Sequence, residues 1–440
     1  MILSAVALVS TGAAAQRAMN DIQVVGSHNS FKARIPAAVM AKIRAADPRL
    51  AQGLDYYHLP LAQQLDRGVR QIEIDVFADP RGGRYASPKG EALAKAAGET
   101  TGFDEAAMRR PGFKVFHIPD VDYLSSCVTL VRCLGEVDRW SRAHPRHLPI
   151  MITINAADTP SDRPGITAPI ALDDARLLDA LDGEIRSVLP GKRLITPDEV
   201  RGAAPTLRDA VHAQGWPTLA AARGRIYVLL DVRKPVSDVY RDGHPSLAGR
   251  AMFGWYPDDQ PESAIQIVQD PLSDAAQITR WVRDGVIVRT RTDANTVEAR
   301  RRDHAKADAA MASGAQAVST DYYPGAPDPL ATGFVVTLPG GRWRGAARCA
   351  LPADAGCGRE GAAPADRARD AVRGRGGDAR TGRKRRADAR AGGRAGGAGD
   401  AARHPRAARW RGAAGHANAR ALAAMAGRGK PDYPARRPCA

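Results

Sequence analysis

Cysteine is scarce in this chain, aromatic side chains are few, and most of its length lacks the excess of positive charge that its net charge suggests. There are five cysteines among 440 residues, and none of their spacings suits zinc. A zinc-built domain is not expected. Cys127 and Cys133 lie close together in SSCVTLVRC, and the other three fall near the C-terminus. In an exported protein Cys127–Cys133 is the expected short-loop disulfide; two unpaired thiols are the alternative. Aromatic residues make up 5% of the chain, and they form no clear membrane-inserting rim. Trp216, Trp255 and Tyr256 are the only hints, and they read better as core residues. The apolar run at residues 2–9 is too short to span a membrane.

The net charge is +16. Residues 341–440 alone hold 24 Lys+Arg against 8 Asp+Glu, and the remainder carries 40 of each sign. The body is electroneutral, so net charge gives no argument for a nucleic-acid partner. Residues 341–440 differ in kind. Stretches such as RADARAGGRAGG contain Arg, Ala and Gly with almost no aliphatic periodicity, and cannot bury enough apolar surface to offset their ordering entropy. They read as a disordered basic tail or as an out-of-frame translation; a polyanion-binding tail is the alternative. At the other end, residues 1–20 resemble a signal peptide: the apolar run precedes Ala13-Ala14-Ala15, although a positively charged start is missing. The expected location is outside the cell or in the periplasm; an ordinary buried first helix is the alternative reading of this stretch.

Between residues 21 and 340, short β-like runs alternate with helical stretches. The expected strands are 22–25, 70–77, 114–117, 149–155, 225–231, 251–254, 286–290 and 317–322. The expected helices are 60–67, 129–144, 172–188, 273–284 and 296–313. About eight β-then-α units predict a (β/α)8 barrel of the TIM type, with a doubly wound open sheet as the alternative. The Gly- and Ala-rich stretch 79–111 reads as a loop excursion after the second strand.

The phase of polar residues in these strands is the most informative feature. In QIEIDV at 71–76, the isoleucines and Val76 share one face while Glu73 and Asp75 share the other. If the apolar face packs on helices, both carboxylates point into the barrel, where two like charges need a cation or hydrogen bonds. The pattern recurs with Thr153 and Asn155, with Asp231, with Arg289 and with Asp321. Most of these residues come late in their strands, at the C-terminal mouth where barrel enzymes carry chemistry. The first expected strand ends in GSHNS and the third in VFH, adding His28, Asn29 and His117. Asn29, Glu73, Asp75 and Asn155 form an oxygen set suited to calcium. Two histidines beside a cation suit phosphoryl transfer. Each has a plainer reading: strand-end histidines often only hydrogen-bond, Glu73 and Asp75 could pair with Arg70 or Arg289, and Asp231 and Asp321 could cap helices. Arg289 is expected either on a substrate phosphate or on Asp321.

At these residues the chain resembles the calcium-dependent phosphatidylinositol-specific phospholipase C-like family. The stretches that carry the likeness are GSHNSF at 26–31, QLDRGVRQIEIDVFADPRGGRYA at 64–86, GFKVFHIPDVDYLSSCVTLVRCL at 112–134, WSRAHPRHLPIMI at 140–152, VRTRTDANTVEARRRD at 288–303 and VSTDYY at 318–323. The resemblance implies a TIM-barrel phosphodiesterase with His28 and His117 as catalytic histidines and Asn29, Glu73 and Asp75 as calcium ligands. It implies attack of an inositol 2-hydroxyl on phosphorus, giving diacylglycerol and a cyclic inositol phosphate. In relatives a glutamate on the fourth strand also binds calcium; Asn155 stands here, so weaker calcium binding is expected. The expected partner is a phospholipid at a membrane surface, the expected state a monomer. Glycerophosphodiester phosphodiesterases and sphingomyelinase-D-like lyases share such barrels and remain alternatives, as does a catalytically weak lipid- or polyanion-binding protein.

Overall fold

The computed structural model describes residues 17–161, 165–213 and 215–339, and the backbone of 343–345. The run at residues 2–9 and the segment beyond 345 lie outside the described residues. Residues 17–20, which the signal-like stretch was expected to include, already belong to the body: the Met19 amide donates to the Pro217 carbonyl and its side chain is buried.

Eleven strands follow in chain order: β1 (Ile22–Ser27), β2 (Gln71–Phe77), β3 (Lys114–Val115), β4 (Ile150–Ala156), β5 (Leu194–Ile195), β6 (Ile226–Leu230), β7 (Phe253–Gly254), β8 (Ile265–Val268), β9 (Ile287–Arg291), β10 (Ala317–Thr320) and β11 (Trp343–Gly345). Nine of them run parallel; eight of these curl into a barrel, and the short β5 pairs beside the start of β6. One arm runs from β1 through β2, β4 and β6 to β7; the other runs from β1 through β10 and β9 to β8. The expected TIM-type architecture is therefore present. No backbone ladder joins β7 to β8 among the described residues. Gln266 of β8 spans that seam instead. Its Nε2 donates to Tyr256 O at 2.7 Å and its Oε1 accepts from Trp255 Nε1 at 3.2 Å.

The strand count was expected, but one member was not. Residues 114–117 are not a barrel strand: β3 covers only two residues and pairs antiparallel with the end of β2. The missing staff is β8, a four-residue IQIV that sequence reading passed over. The excursion at 79–111 also carries two short helices, Lys89–Ala96 and Glu105–Met108. The helix expected over 296–313 is broken into Val297–Arg301 and Ala305–Ala312, with Arg302 in the left-handed region between them.

Strand alternation decides what faces where. Ile72, Ile74, Ile152, Ile154, Val228 and Leu230 are buried in one cluster with Leu134 and Val137 of helix Leu130–Ala143, and with Leu178, Leu181 and Ile185 of helix Ala175–Val188. Those helical residues recur at three and four positions, the stripe a helix needs to cover a sheet. Thr129 and Asp174 cap the two helices by accepting from the amides of Arg132 and Arg176. Each fully buried aliphatic side chain contributes about 1.5–3 kcal/mol, so this outer layer holds the barrel and leaves its inner face free for polar residues. Where β1 meets β2, Gly26 lies against the Gln71 side chain, and a Cβ there would collide with it.

Candidate active site

Glu73 and Asp75 stand two residues apart on the inner face of β2, both buried. The β2–β4 register sets Asp75 opposite Asn155, whose Nδ2 donates to Asp75 Oδ1 at 3.0 Å. At the end of β1 the chain turns sharply: Asn29 adopts φ 45°, a left-handed conformation that asparagine tolerates better than most residues. That turn brings His28 Nε2 to 3.9 Å from Glu73 Oε1. The other ring nitrogen of His28 lies 3.0 Å from Asp321 Oδ1, just beyond β10, and 3.2 Å from the Tyr56 hydroxyl. Asn29 Nδ2 donates to the same hydroxyl at 2.9 Å, so the tyrosine ties Asn29 to His28.

His117 sits in the turn that follows β3. Its Nδ1 lies 2.7 Å from Asp122 Oδ2, and the backbone closes the same turn, with the His117 amide donating to Asp122 O. The two histidines thus share one local plan. Each has Nδ1 held by a buried carboxylate, which leaves Nε2 to work.

Electrostatics separate the groups. Burial lowers the His28 pKa, assisted by the Arg291 cation against the opposing pull of Asp321 and Glu73, so the ring is neutral near pH 7. Burial pulls the Glu73 carboxyl upward, but Arg289, His28 and Arg291 outweigh it and hold it below the usual range. Burial and the neighbouring Glu73 charge push Asp75 well above that range. Asp321 is held far below it despite burial, by His28 and Arg291. Asp293, squeezed between burial and Asp321, rises to about 6.

Three residues expected at the substrate are placed unequally. Arg289 is buried and engaged inside the protein: its guanidinium pairs with Glu73 and donates to Gln269 Oε1 and Ser319 Oγ, each at 3.2 Å. Its partner is thus Glu73, not Asp321. Asp321 receives His28 and Arg291, and serves the histidine rather than open space. Asp231, just past β6, is half-buried and close enough for its charge to act on Asp75. Cys127 and Cys133 form a disulfide at the start of helix Leu130–Ala143. Of the aromatic hints, Trp216 and Tyr256 are buried and Trp255 is half-buried.

Sequence reading missed Lys32, Tyr56, His58, Asp122, Arg291 and Asp293. Arg291 was within reach, since it shares the phase of Arg289 two residues earlier. The others lie in turns, where no period marks an inward side chain.

The donor set fits a hard cation. Among the described residues no three His, Cys, Asp or Glu side chains form a ready-made metal cage, so the amides of Asn29 and Asn155 must complement the two carboxylates. Glu73, Asp75, Asp293 and Asp321 lie together with Arg289 and Arg291 among their cationic neighbours. Burial and the Glu73 charge both disfavour ionised Asp75, and a divalent ion with oxygen ligands would offset that.

Comparison with known proteins gives this geometry its context. The family profile described as phosphoinositide phospholipase C, Ca2+-dependent, matches residues 18–350. No curated protein matches. Among solved structures, the apo calcium-dependent phosphoinositol-specific phospholipase C of a Pseudomonas species is 15% identical. The alignment covers 76% of this chain and 97% of that one, with a TM-score of 0.47. The Ca2+-dependent phosphatidylinositol-specific phospholipase C of Streptomyces antibioticus is 18% identical, over 70% and 96% of the two chains, with a TM-score of 0.44. A glycerophosphoryl diester phosphodiesterase from Parabacteroides distasonis is more remote, at 13% identity over 70% and 85%, with a TM-score of 0.26. With the profile spanning the whole barrel, the chain belongs to the family of Ca2+-dependent phosphoinositide phospholipases C, phosphodiesterases that use calcium.

Proposed function

We propose that this enzyme cleaves phosphatidylinositol-type phospholipids at a membrane surface, releasing diacylglycerol and a cyclic inositol phosphate that water can then open. The observation that carries the reading is the pair of histidines, each backed by a buried carboxylate, with His28 beside Glu73. His28, neutral and oriented by Asp321, accepts the proton of the inositol 2-hydroxyl through Nε2 as that oxygen attacks phosphorus. The bond from phosphorus to the glycerol oxygen breaks, and His117, oriented by Asp122, donates a proton to that leaving oxygen. Asn29, Glu73, Asp75 and Asn155 would hold calcium, which would supply charge neutralisation at the phosphate. Arg289 balances Glu73 and adds fixed positive charge behind the phosphate. Asp231 meets a head-group hydroxyl at the mouth. The Cys127–Cys133 disulfide supports an oxidising compartment, hence a secreted or periplasmic enzyme.

The test is turnover of phosphatidylinositol vesicles with calcium and with excess chelator, reading the water-soluble product. Cyclic inositol phosphate that forms only with calcium is expected. A free alcohol as first product would favour the glycerophosphodiester alternative. Turnover that survives both chelator and H28A would sink the mechanism.

A further inference from the structure

Lys32 is four residues past His28, yet its side chain is not at the mouth. It is fully buried, and so is Asp122, to which it points. Its Nζ lies 3.0 Å from one carboxylate oxygen of Asp122 and 2.9 Å from the other. The backbone fixes both ends of the reach. The Lys32 amide donates to Asn29 O, the His58 amide donates to Lys32 O, and residue 32 bridges Ser125 on the chain that leaves the His117 turn.

A buried ion pair is a poor way to gain stability. Desolvation of two charges offsets most of their attraction, and an apolar pair of similar volume often does as well. The contacts of this pair point to another use. Asp122 Oδ2 holds His117 Nδ1, so the lysine saturates a carboxylate already committed to a histidine. Lys32 Nζ also lies 5.1 Å from the centre of the Tyr56 ring, whose hydroxyl is 3.2 Å from His28 Nδ1. One cation therefore bears on the supports of both histidines. Besides Lys32 and His117, the Asp122 charge acts on Tyr56 and Asp75.

We propose that Lys32 is a positioning residue of the active site, acting through Asp122 on His117. The inference rests on the phosphodiesterase reading above. With both oxygens taken, the Asp122 carboxylate cannot rotate or pick up a stray proton, and His117 keeps the proton of Nδ1 on the inner side and Nε2 on the substrate side. Without Lys32, Asp122 is a buried charge with His117 as its sole ionic partner, and the ring loses its fixed orientation.

The test is a double-mutant cycle in the full chain: K32M, D122N and K32M/D122N, assayed on phosphatidylinositol vesicles with saturating calcium. K32M is expected to lower kcat about 100-fold with KM within about threefold, in the range of a lost acid–base group. D122N should do the same, and the double variant should match D122N within about threefold, because the two residues act in series. A K32M enzyme that keeps its kcat, or a double variant whose loss is the product of the single losses, overturns the inference. If K32M alone fails to fold, the double variant leaves no lone charge buried, and its comparison with D122N decides. A second arm needs no turnover. The His117 Nδ1 proton is expected as a downfield proton NMR resonance, assigned by its loss in H117A. That resonance should vanish or shift in K32M; an unchanged signal overturns the inference even if the wild-type enzyme proves inactive on this lipid.

Discussion

The two histidines are supported by unlike parts of the molecule. His28 follows directly on β1, and its carboxylate comes from the residue after β10, so two laddered strands fix the pair. Its partner Asp321 also receives His58 and Arg291. His117 stands on a turn beside a two-residue antiparallel strand, and its carboxylate comes from the same turn, five residues on. Lys32 pairs with that carboxylate, and the Cys127–Cys133 disulfide follows five residues on. The enzyme builds one support into its barrel and assembles the other from loops, pinning it with a buried cation.

That contrast is open to breakage. The largest effects belong to the histidines: H28A should lower turnover about 10⁴-fold and H117A about 10³-fold, with circular dichroism unchanged. One step back, D321N should cost about 10³-fold and D122N about 10²-fold, since the strand-borne carboxylate has more partners to disorder. Equal losses would erase the distinction between the supports. At the metal face, E73Q and D75N should weaken calcium about 10–100-fold by calorimetry, and N155D should strengthen it about tenfold by restoring a charge.

Two smaller effects concern stability. Asp293 lies behind Asp321 with a pKa raised to about 6. The folded state therefore holds this proton more tightly than the unfolded chain. Its stabilising contribution is full below about pH 4 and is lost as pH rises through 6, a change of roughly 1–3 kcal/mol. Urea unfolding of D293N should show a flatter slope across that window. On the other side, C127S/C133S opens a short loop with a sequence separation of 6, and should cost about 2 kcal/mol by the chain-entropy estimate. Its turnover should fall by about the same factor as a loosened His117 and leave calcium affinity unmoved.

The same contrast explains what could be read from the sequence. Strand-borne chemistry was legible because alternation exposes it: Glu73 and Asp75 against Ile72, Ile74 and Val76, or Asn155 against Ile154. In the strand pattern His117 appeared as the end of an apolar run, with the family likeness around it as the further signal, and that run was mistaken for a barrel staff because Val115 and Phe116 mimic one. β8 was passed over since IQIV is four residues long and carries Gln266 inward, too little pattern to count. Lys32, Tyr56 and Asp122 gave no periodic signal; contacts between distant turns place them. Arg289 was assigned to a phosphate because an inward arginine invites one, and nothing local revealed that Glu73, 216 residues away, would take it.

The seam between β7 and β8 has a mechanical consequence. Elsewhere the circumference of the barrel is set by backbone pairing between neighbouring strands. At the seam it is set by the Gln266 amide, reaching Tyr256 and Trp255. The enzyme is a split ring closed by a clasp. Of the joins between barrel strands, this one rests on side-chain bonds, so it is the one that a single substitution on β8 can undo.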